Sequence, residues 1–262
     1  MVHQVLRKLL PSRARPLVAG VIAGSFAGFV IRRVIGSTIR HRGTRIRINH
    51  PRVSNRMVGA LFWQLYERAE ADQIRRFLPG NSDVLELGAS SGVNTVQIAA
   101  RLAAGHRLVS VEADPELSSL AEENCRSNSF QDKVTVISAA LSFEGSEVRF
   151  QRNREPIGGS VRPRTVATNT ISVPAVTLAQ LTADFGLCRY TLVMDIEGTE
   201  WQILQHPEEL KGCWRIIAEL HDVEEGSRTV TVGEMIGMFE KLGFGLLHQD
   251  GRCVVLDRQL MP

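Results

Sequence analysis

No aspartate or glutamate occurs before Glu67, and that absence divides the chain in two. The same stretch holds twelve basic residues: Arg7, Lys8, Arg13, Arg15, Arg32, Arg33, Arg40, Arg42, Arg45, Arg47, Arg52 and Arg56. The remainder carries 19 basic against 28 acidic residues, so the net charge of +3 conceals a basic arm on an acidic body. Cysteine is scarce: Cys125, Cys188, Cys213 and Cys253 stand far apart and match no metal or redox spacing. They read as reduced, mostly buried thiols in a reducing compartment. The arm lacks interleaved aromatics and any recognisable nucleic-acid motif, so nucleic acid is not an expected partner. No uncharged apolar run is long enough to span a bilayer. The longest in the arm, Leu17 to Ile31, would extend roughly 23 Å as a helix against a hydrocarbon core of ~30 Å. There is no internal repeat.

What is present begins with that run. It is bracketed by Arg13 and Arg15 on one side and Arg32 and Arg33 on the other. Gly20, Gly24 and Gly28 recur every four residues, a small-residue face that permits close helix contact. Three readings stand: an interfacial or marginal membrane helix whose arginines meet anionic headgroups, a targeting segment, and a helix packed on the protein's own body. A chain of 262 residues can form one large domain with a filled core plus an extension. The boundary is placed at 55/56.

The most informative stretch is Asp83 to Ala99. The apolar strand Val84–Leu87 runs into a glycine turn, and a helix with Val93, Val96, Ala100 and Ala103 follows. This is the strand-turn-helix unit that opens a nucleotide-binding α/β sheet. The turn, Glu86-x-Gly88-x-Ser90-x-Gly92, is not the Gly-x-Gly-x-x-Gly that holds a pyrophosphate. Gly88 allows a sharp turn, and Gly92 is expected to let a ligand approach the chain. Glu86 sets a negative charge beside that ligand, which repels phosphates and attracts an amine and a sulfonium. The pattern favours S-adenosylmethionine over NAD. Glu112 ends a second strand, Arg107–Glu112, roughly 20 residues past the turn, where an acid would accept from a ribose diol.

The rest alternates. Met57–Leu78 reads as one helix, and Asp114-Pro115 starts another that runs to about Ser127. Lys133–Ser138 and Glu147–Phe150 read as strands. Gln151 to Pro174 reads as a long polar loop, a candidate lid or acceptor-binding segment. A helix from Thr177 to about Phe185, a strand Tyr190–Asp195, a helix Thr199–Leu210 and a strand Arg215–Leu220 follow. Val232–Leu242 is a helix, and Phe244–Gln249 with Cys253–Asp257 forms a terminal hairpin around Asp250-Gly251. Such alternation implies a mostly parallel sheet closed by one reversed strand.

Taken together, Glu86–Gly92, Val111-Glu-Ala-Asp-Pro115, Val136–Ser142, Val176-Thr-Leu178, Val193-Met-Asp-Ile-Glu-Gly-Thr-Glu200 and Ile217–His221 make residues 60 to 258 resemble the FkbM family of class I S-adenosylmethionine-dependent methyltransferases. The Asp-x-Glu-Gly-x-Glu block is the most specific part. Ser90-Ser91 departs slightly from the family's turn, where Asn followed by a small or apolar residue is common. The resemblance implies a Rossmann-like α/β fold: a mostly parallel seven-stranded sheet with helices on both faces and a C-terminal antiparallel hairpin. Residues 1 to about 55 fall outside it and read as an N-terminal helical extension. It places Gly88, Ala89, Ser90 and Gly92 along the methionine part of S-adenosylmethionine, Glu86 at its amine, Glu112 and Ala113 at the ribose, and Ala139 or Ala140 near adenine. Asp195, at the end of the fourth strand, would face the methyl group.

Asp195 and His221 are the candidate bases, with Glu197 beside them. A divalent metal held by Asp195 with Glu197 is open but has no motif to support it. Glu197 and Glu200 could instead serve the following helix as N-terminal acids. His221 could be a structural hydrogen bonder, and Trp201 and Trp214 read as core. The expectation is O-methylation of a hydroxyl on a small molecule, sugar or glycan, in the cytoplasm, peripheral to the membrane through residues 1–55. The alternatives are an N- or protein methyltransferase, or a non-catalytic adenosyl-ligand-binding domain recruited by its arm.

Overall fold

The computed structural model describes residues 24–152, 170–226 and 228–258. The chain forms two compact units, one running to Arg68 and the other starting at Ala69.

The first unit contains α1 (Ser25–Ile35), β1 (Thr38–His41), β2 (Thr44–Arg47) and α2 (Asn55–Phe62). The β1–β2 hairpin turns on Arg42 and Gly43, with φ of 47° and 96°. Two left-handed residues in a row are what a two-residue hairpin turn requires. Ile39 pairs with Ile46 facing inward, while Arg40 pairs with Arg45 facing outward. Ile48, Val53, Met57, Val58 and Leu61 complete this small core. His41 is buried with them and donates Nδ1–H to the Leu61 carbonyl at 2.8 Å. Burial holds its pKa below the usual histidine range. Gly28 is where α1 meets α2: a Cβ there would lie 1.6 Å from the Asn55 carbonyl oxygen. An apolar helix on a purely helical arm is therefore only part of the picture.

The helix expected over Met57–Leu78 is interrupted. α2 ends at Phe62, and α3 spans Arg68–Phe77. Between them Gln64 and Glu67 adopt positive φ, 58° and 39°, which no helix continues through.

In the second unit β3 (Asp83–Leu87), α4 (Val93–Arg101), β4 (Leu108–Glu112), α5 (Pro115–Ser127) and β5 (Val134–Ser138) form the first half of the sheet. A side sheet follows: β6 (Ala140–Leu141), β7 (Glu147–Gln151) and β8 (Thr170–Val176), with β8 in the middle. The expected loop Gln151–Pro174 is thus bounded by paired strands, since Thr170 to Pro174 lie opposite Gln151 to Glu147. Its middle, and with it the expected lid, falls outside the described residues. Next come α6 (Leu178–Asp184), β9 (Tyr190–Met194), α7 (Glu200–Gln205), a 3₁₀ turn (Pro207–Leu210) and β10 (Cys213–Glu219). A small hairpin not anticipated, β11 (Val223–Glu225) with β12 (Arg228–Val230), precedes α8 (Val232–Lys241), β13 (Phe244–Asp250) and β14 (Cys253–Arg258). The caps follow local chemistry: Asp114, Thr177 and Thr231 each accept a backbone N–H of the helix they open.

The main sheet has seven strands in the order β13-β14-β10-β9-β3-β4-β5. The pairs β10–β9, β9–β3, β3–β4 and β4–β5 are parallel, and β14 runs antiparallel to both its neighbours. This is the Rossmann-like architecture with its closing hairpin. β4 and β9 are buried at every position, as central parallel strands must be when both faces are covered. From β3 the chain first builds outward through β4 and β5, then returns to build through β9 and β10 on the other side. The switch point lies between β3 and β9, where an open α/β sheet offers a crevice at the strand ends. Cys125, Cys213 and Cys253 are buried and Cys188 is exposed, all as free thiols.

Candidate active site

Leu87 and Met194 pair across the switch point, and Gly88 and Asp195 follow them. The two chains touch: Asp195 N–H donates to the Leu87 carbonyl at 3.0 Å. A Cβ on Gly88 would sit 2.0 Å from the Asp195 carbonyl oxygen, and its φ is +87°. Gly88 is thus required twice, by its conformation and by this contact. Gly92 carries a packing constraint as well: its absent Cβ would meet the Ala121 Cα at 2.6 Å, so it lets α4 start against α5. Asn124 of α5 braces the same loop by donating to the Ser91 carbonyl at 2.8 Å.

The two acids expected at the cofactor are both buried. Glu112 accepts from Ser90 N–H at 2.6 Å and from Asp114 N–H at 2.8 Å. It thereby holds Ser90 in the left-handed region, at φ 49°. Burial pushes its pKa up to about 7, against the pull of those two N–H groups. Glu86 accepts from Ser110 Oγ at 2.5 Å beneath the loop, and burial raises it to about 7 as well. Asp114, unremarked in the sequence beyond its helix-starting place, is buried and takes two bonds from Arg152, both at 3.1 Å. Ala139 packs into the main core, and Ala140 joins Val148, Phe150 and Val173 in the side sheet, with Ala113 against them.

The exit of β9 holds a charged cluster. His221, just past β10, has its Nε2 3.9 Å from Asp195 Oδ1, 3.8 Å from Glu197 Oε2 and 3.9 Å from Glu219 Oε1. Its Nδ1–H donates to Glu200 Oε1 at 3.2 Å. Glu200 is fully buried and also accepts from Ile196 N–H at 3.1 Å and Gly198 N–H at 2.7 Å. It clasps the turn in which Glu197 sits at φ 51° and Gly198 at φ 96°. A non-glycine residue held left-handed costs about 1–3 kcal/mol and marks a place the surroundings over-determine. Glu200 is therefore more than an acid at a helix start. Burial disfavours the charged imidazole of His221, but the Glu200 hydrogen bond and the charges of Glu200, Asp195 and Glu197 outweigh it. The net result is a pKa near 9, not the unperturbed value the sequence suggested. Trp201 is core, as expected.

Two kinds of ligand fit these groups. Ser90 Oγ at the glycine turn is buried with no hydrogen-bond partner among the described residues, and Glu112 has acceptor capacity beyond its two bonds. Both suit a polar adenosyl ligand at the switch point. Separately, Asp195, Glu197 and His221 each offer one ligand atom within 4.8 Å of the others, a carboxylate–imidazole set that can hold a divalent cation.

Comparison with known proteins accords with this geometry. Residues 86–246 match the family model of the methyltransferase FkbM domain. No curated protein matches the chain. Solved structures that align with the chain include EvdMO1, at 17% identity and a TM-score of 0.43, over 73% of this chain and only 41% of that one. A S-adenosylmethionine-dependent methyltransferase from Aquifex aeolicus aligns at 12% identity and a TM-score of 0.43, over 74% of this chain and 94% of its own. Streptococcus pneumoniae Sp1610 in complex with S-adenosyl-L-methionine aligns at 12% identity and a TM-score of 0.45, over 74% of each chain. The family match spans more than half of the sequence and includes both the glycine turn and the acid–histidine cluster. The chain belongs to the FkbM methyltransferase family.

Proposed function

We propose that this methyltransferase acts on a hydroxyl oxygen of a small molecule, sugar or glycan, and that His221 takes the hydroxyl proton. The observation that carries the reading is the Glu200–His221 bond with Nε2 turned toward Asp195 and Glu197. When bound, the donor supplies an activated methyl on a sulfonium, so the protein must align the acceptor and remove its proton. The acceptor oxygen forms the bond to the methyl carbon as the carbon–sulfur bond breaks in line. The hydroxyl proton passes to His221 Nε2. Glu200 keeps the proton on Nδ1, which leaves Nε2 as the acceptor in the neutral ring. Asp195 and Glu197 then stabilise the imidazolium, in the same division of labour as an acid–histidine pair in acyl transfer. On the donor side the turn Gly88–Gly92, Ser90 and Glu112 bind, with Ala113, Ala139 and Ala140 as walls and Glu86 beneath.

A base with a pKa near 9 predicts that kcat/KM rises with pH through neutrality and levels near 9. A profile flat from pH 6 to 9 overturns the assignment. The second reading uses the same atoms: a divalent cation on Asp195, Glu197 and His221 Nε2, with Glu200 orienting the ring from behind. A lone pair cannot serve both purposes. Loss of activity with chelator and recovery with Mg²⁺ or Mn²⁺ selects the metal, while indifference to chelator selects the base.

The domain reading extends this. Residues 56–262 carry catalysis, and residues 1–55 bring the enzyme to an anionic membrane surface, where it works peripherally on the cytoplasmic side. Among the described residues no helix is long and apolar enough to cross a membrane.

A further inference from the structure

The helix α1 presents an apolar ridge to solvent. Phe26 is 82% exposed, Val34 81%, Val30 45% and Phe29 44%. Their spacing, with steps of three and four residues, puts them on one side of the helix. Gly28, pressed against Asn55, marks the opposite side. The ridge is thus the outward face of a helix already seated by its inner face. A protein that leaves two phenylalanines and two valines in water along one line has a reason to do so.

We infer that this ridge is a docking surface for an anionic lipid bilayer, its apolar side chains entering the headgroup boundary while Arg33 and the outward arginines of the same unit meet lipid phosphates and carboxylates. This rests on the peripheral-membrane reading above and adds the residues that make the contact. The choice of partner follows from charge. Arg33 lies on the ridge itself, its guanidinium 5.3 Å from the Phe29 ring centroid, a group that can snorkel to headgroups while its stem stays apolar. The hairpin of the same unit turns Arg40, Arg45 and Arg47 outward, with Arg40 directly opposite Arg45. A second copy of the chain would bring two acid-free arms together, and nucleic acid offers no apolar layer for the valines. Eleven residues of helix extend roughly 16 Å, which suits lying in the interface rather than spanning it.

Flotation of the full-length protein on phosphatidylcholine vesicles, with and without phosphatidylserine, tests this. The wild type should float with the anionic vesicles only. Replacing the exposed apolar positions (F26S, F29S and V34S together) should cut recovery roughly tenfold or more. Replacing the hairpin arginines (R40Q, R45Q and R47Q together) should do the same at low salt and matter less at high salt. Melting temperature and the stabilisation given by S-adenosylhomocysteine should be unchanged in both, and if the apolar triple variant melts early, V34S alone provides the reading. Wild-type binding that both triple variants retain would leave the peripheral reading intact and place the contact elsewhere. No binding by the wild type would overturn both. A change from dimer to monomer in the apolar variant, without loss of flotation, would make the ridge a self-association surface and overturn the lipid assignment.

Discussion

The buried carboxylate of Glu200 binds His221 and the turn that carries Asp195 and Glu197 at the same time. One oxygen takes Nδ1–H of His221 at 3.2 Å and Ile196 N–H at 3.1 Å, and the other takes Gly198 N–H at 2.7 Å. The ring and the acids that face it are thereby set by one residue.

Glu200→Gln should therefore act on chemistry through His221. The amide can satisfy only part of this acceptor demand and removes the charge. The His221 pKa should fall from near 9, measurable by NMR titration of its ring protons. Methyl transfer should fall about 10–100-fold, as for other groups that orient a reacting histidine from behind. Affinity for S-adenosylhomocysteine should stay within a few-fold. An unmoved titration would show that Glu200 only supports the turn.

Asp195→Asn keeps the size and removes one of the charges around Nε2. Turnover at saturating donor should drop by about 10²–10⁴-fold. Combined with His221→Ala the losses should not add, because the two act as a unit. If donor affinity collapsed while turnover survived, Asp195 would belong to the donor pocket instead.

Stability should decline as pH rises, over two windows. His221 titrates near 9 in the folded chain against an ordinary 6.5. Its contribution is complete below about 6.5 and is lost as pH passes through 9. Glu86 and Glu112 titrate near 7 against an ordinary 4.5, so their contribution is complete below 4.5 and is lost as pH passes through 7. Melting temperature should fall from pH 5 to 9, and His221→Ala should flatten the upper part only. A melting temperature that climbs with pH in either window would contradict the burial of these groups.

Gly88→Ala should destabilise the fold rather than merely weaken donor binding. The added carbon would sit 2.0 Å from a backbone oxygen in a left-handed residue. A loss of roughly 2–4 kcal/mol is expected, read from denaturant midpoints. Gly92→Ala should resemble it, because the neighbour there is the backbone of Ala121. Normal melting with selective loss of S-adenosylhomocysteine binding would show that Gly92 serves the ligand rather than the packing of α4 on α5.

Much of the fold was legible because its signals are local. The strand, glycine turn and helix from Asp83 to Arg101, the acid ending β4, the block from Asp195 to Glu200 and the closing hairpin all read directly from period and turn residues. What escaped depends on contacts between distant segments. Glu200 meets His221 across 21 residues, so no spacing rule reveals that it serves the ring more than the helix it begins. The packing of Gly92 against Ala121 escaped because the two are remote in sequence. The break between α2 and α3 has neither glycine nor proline at Gln64 or Glu67 to announce it. The β1–β2 hairpin was masked by its arginines, although Ile39, Ile46 and Gly43 carried the pattern.

The central claim is proton removal from a hydroxyl by His221, with Asp195 and Glu197 holding the charge. Its most direct test is transfer of a labelled methyl group from S-adenosylmethionine to hydroxyl-bearing small molecules, sugars and glycans at saturating donor. The wild type should form an alkali-stable methyl ether, and Asp195→Asn and His221→Ala should each lose about 10²-fold or more while still binding S-adenosylhomocysteine. Near-normal turnover in both variants, or a label confined to nitrogen, would contradict it.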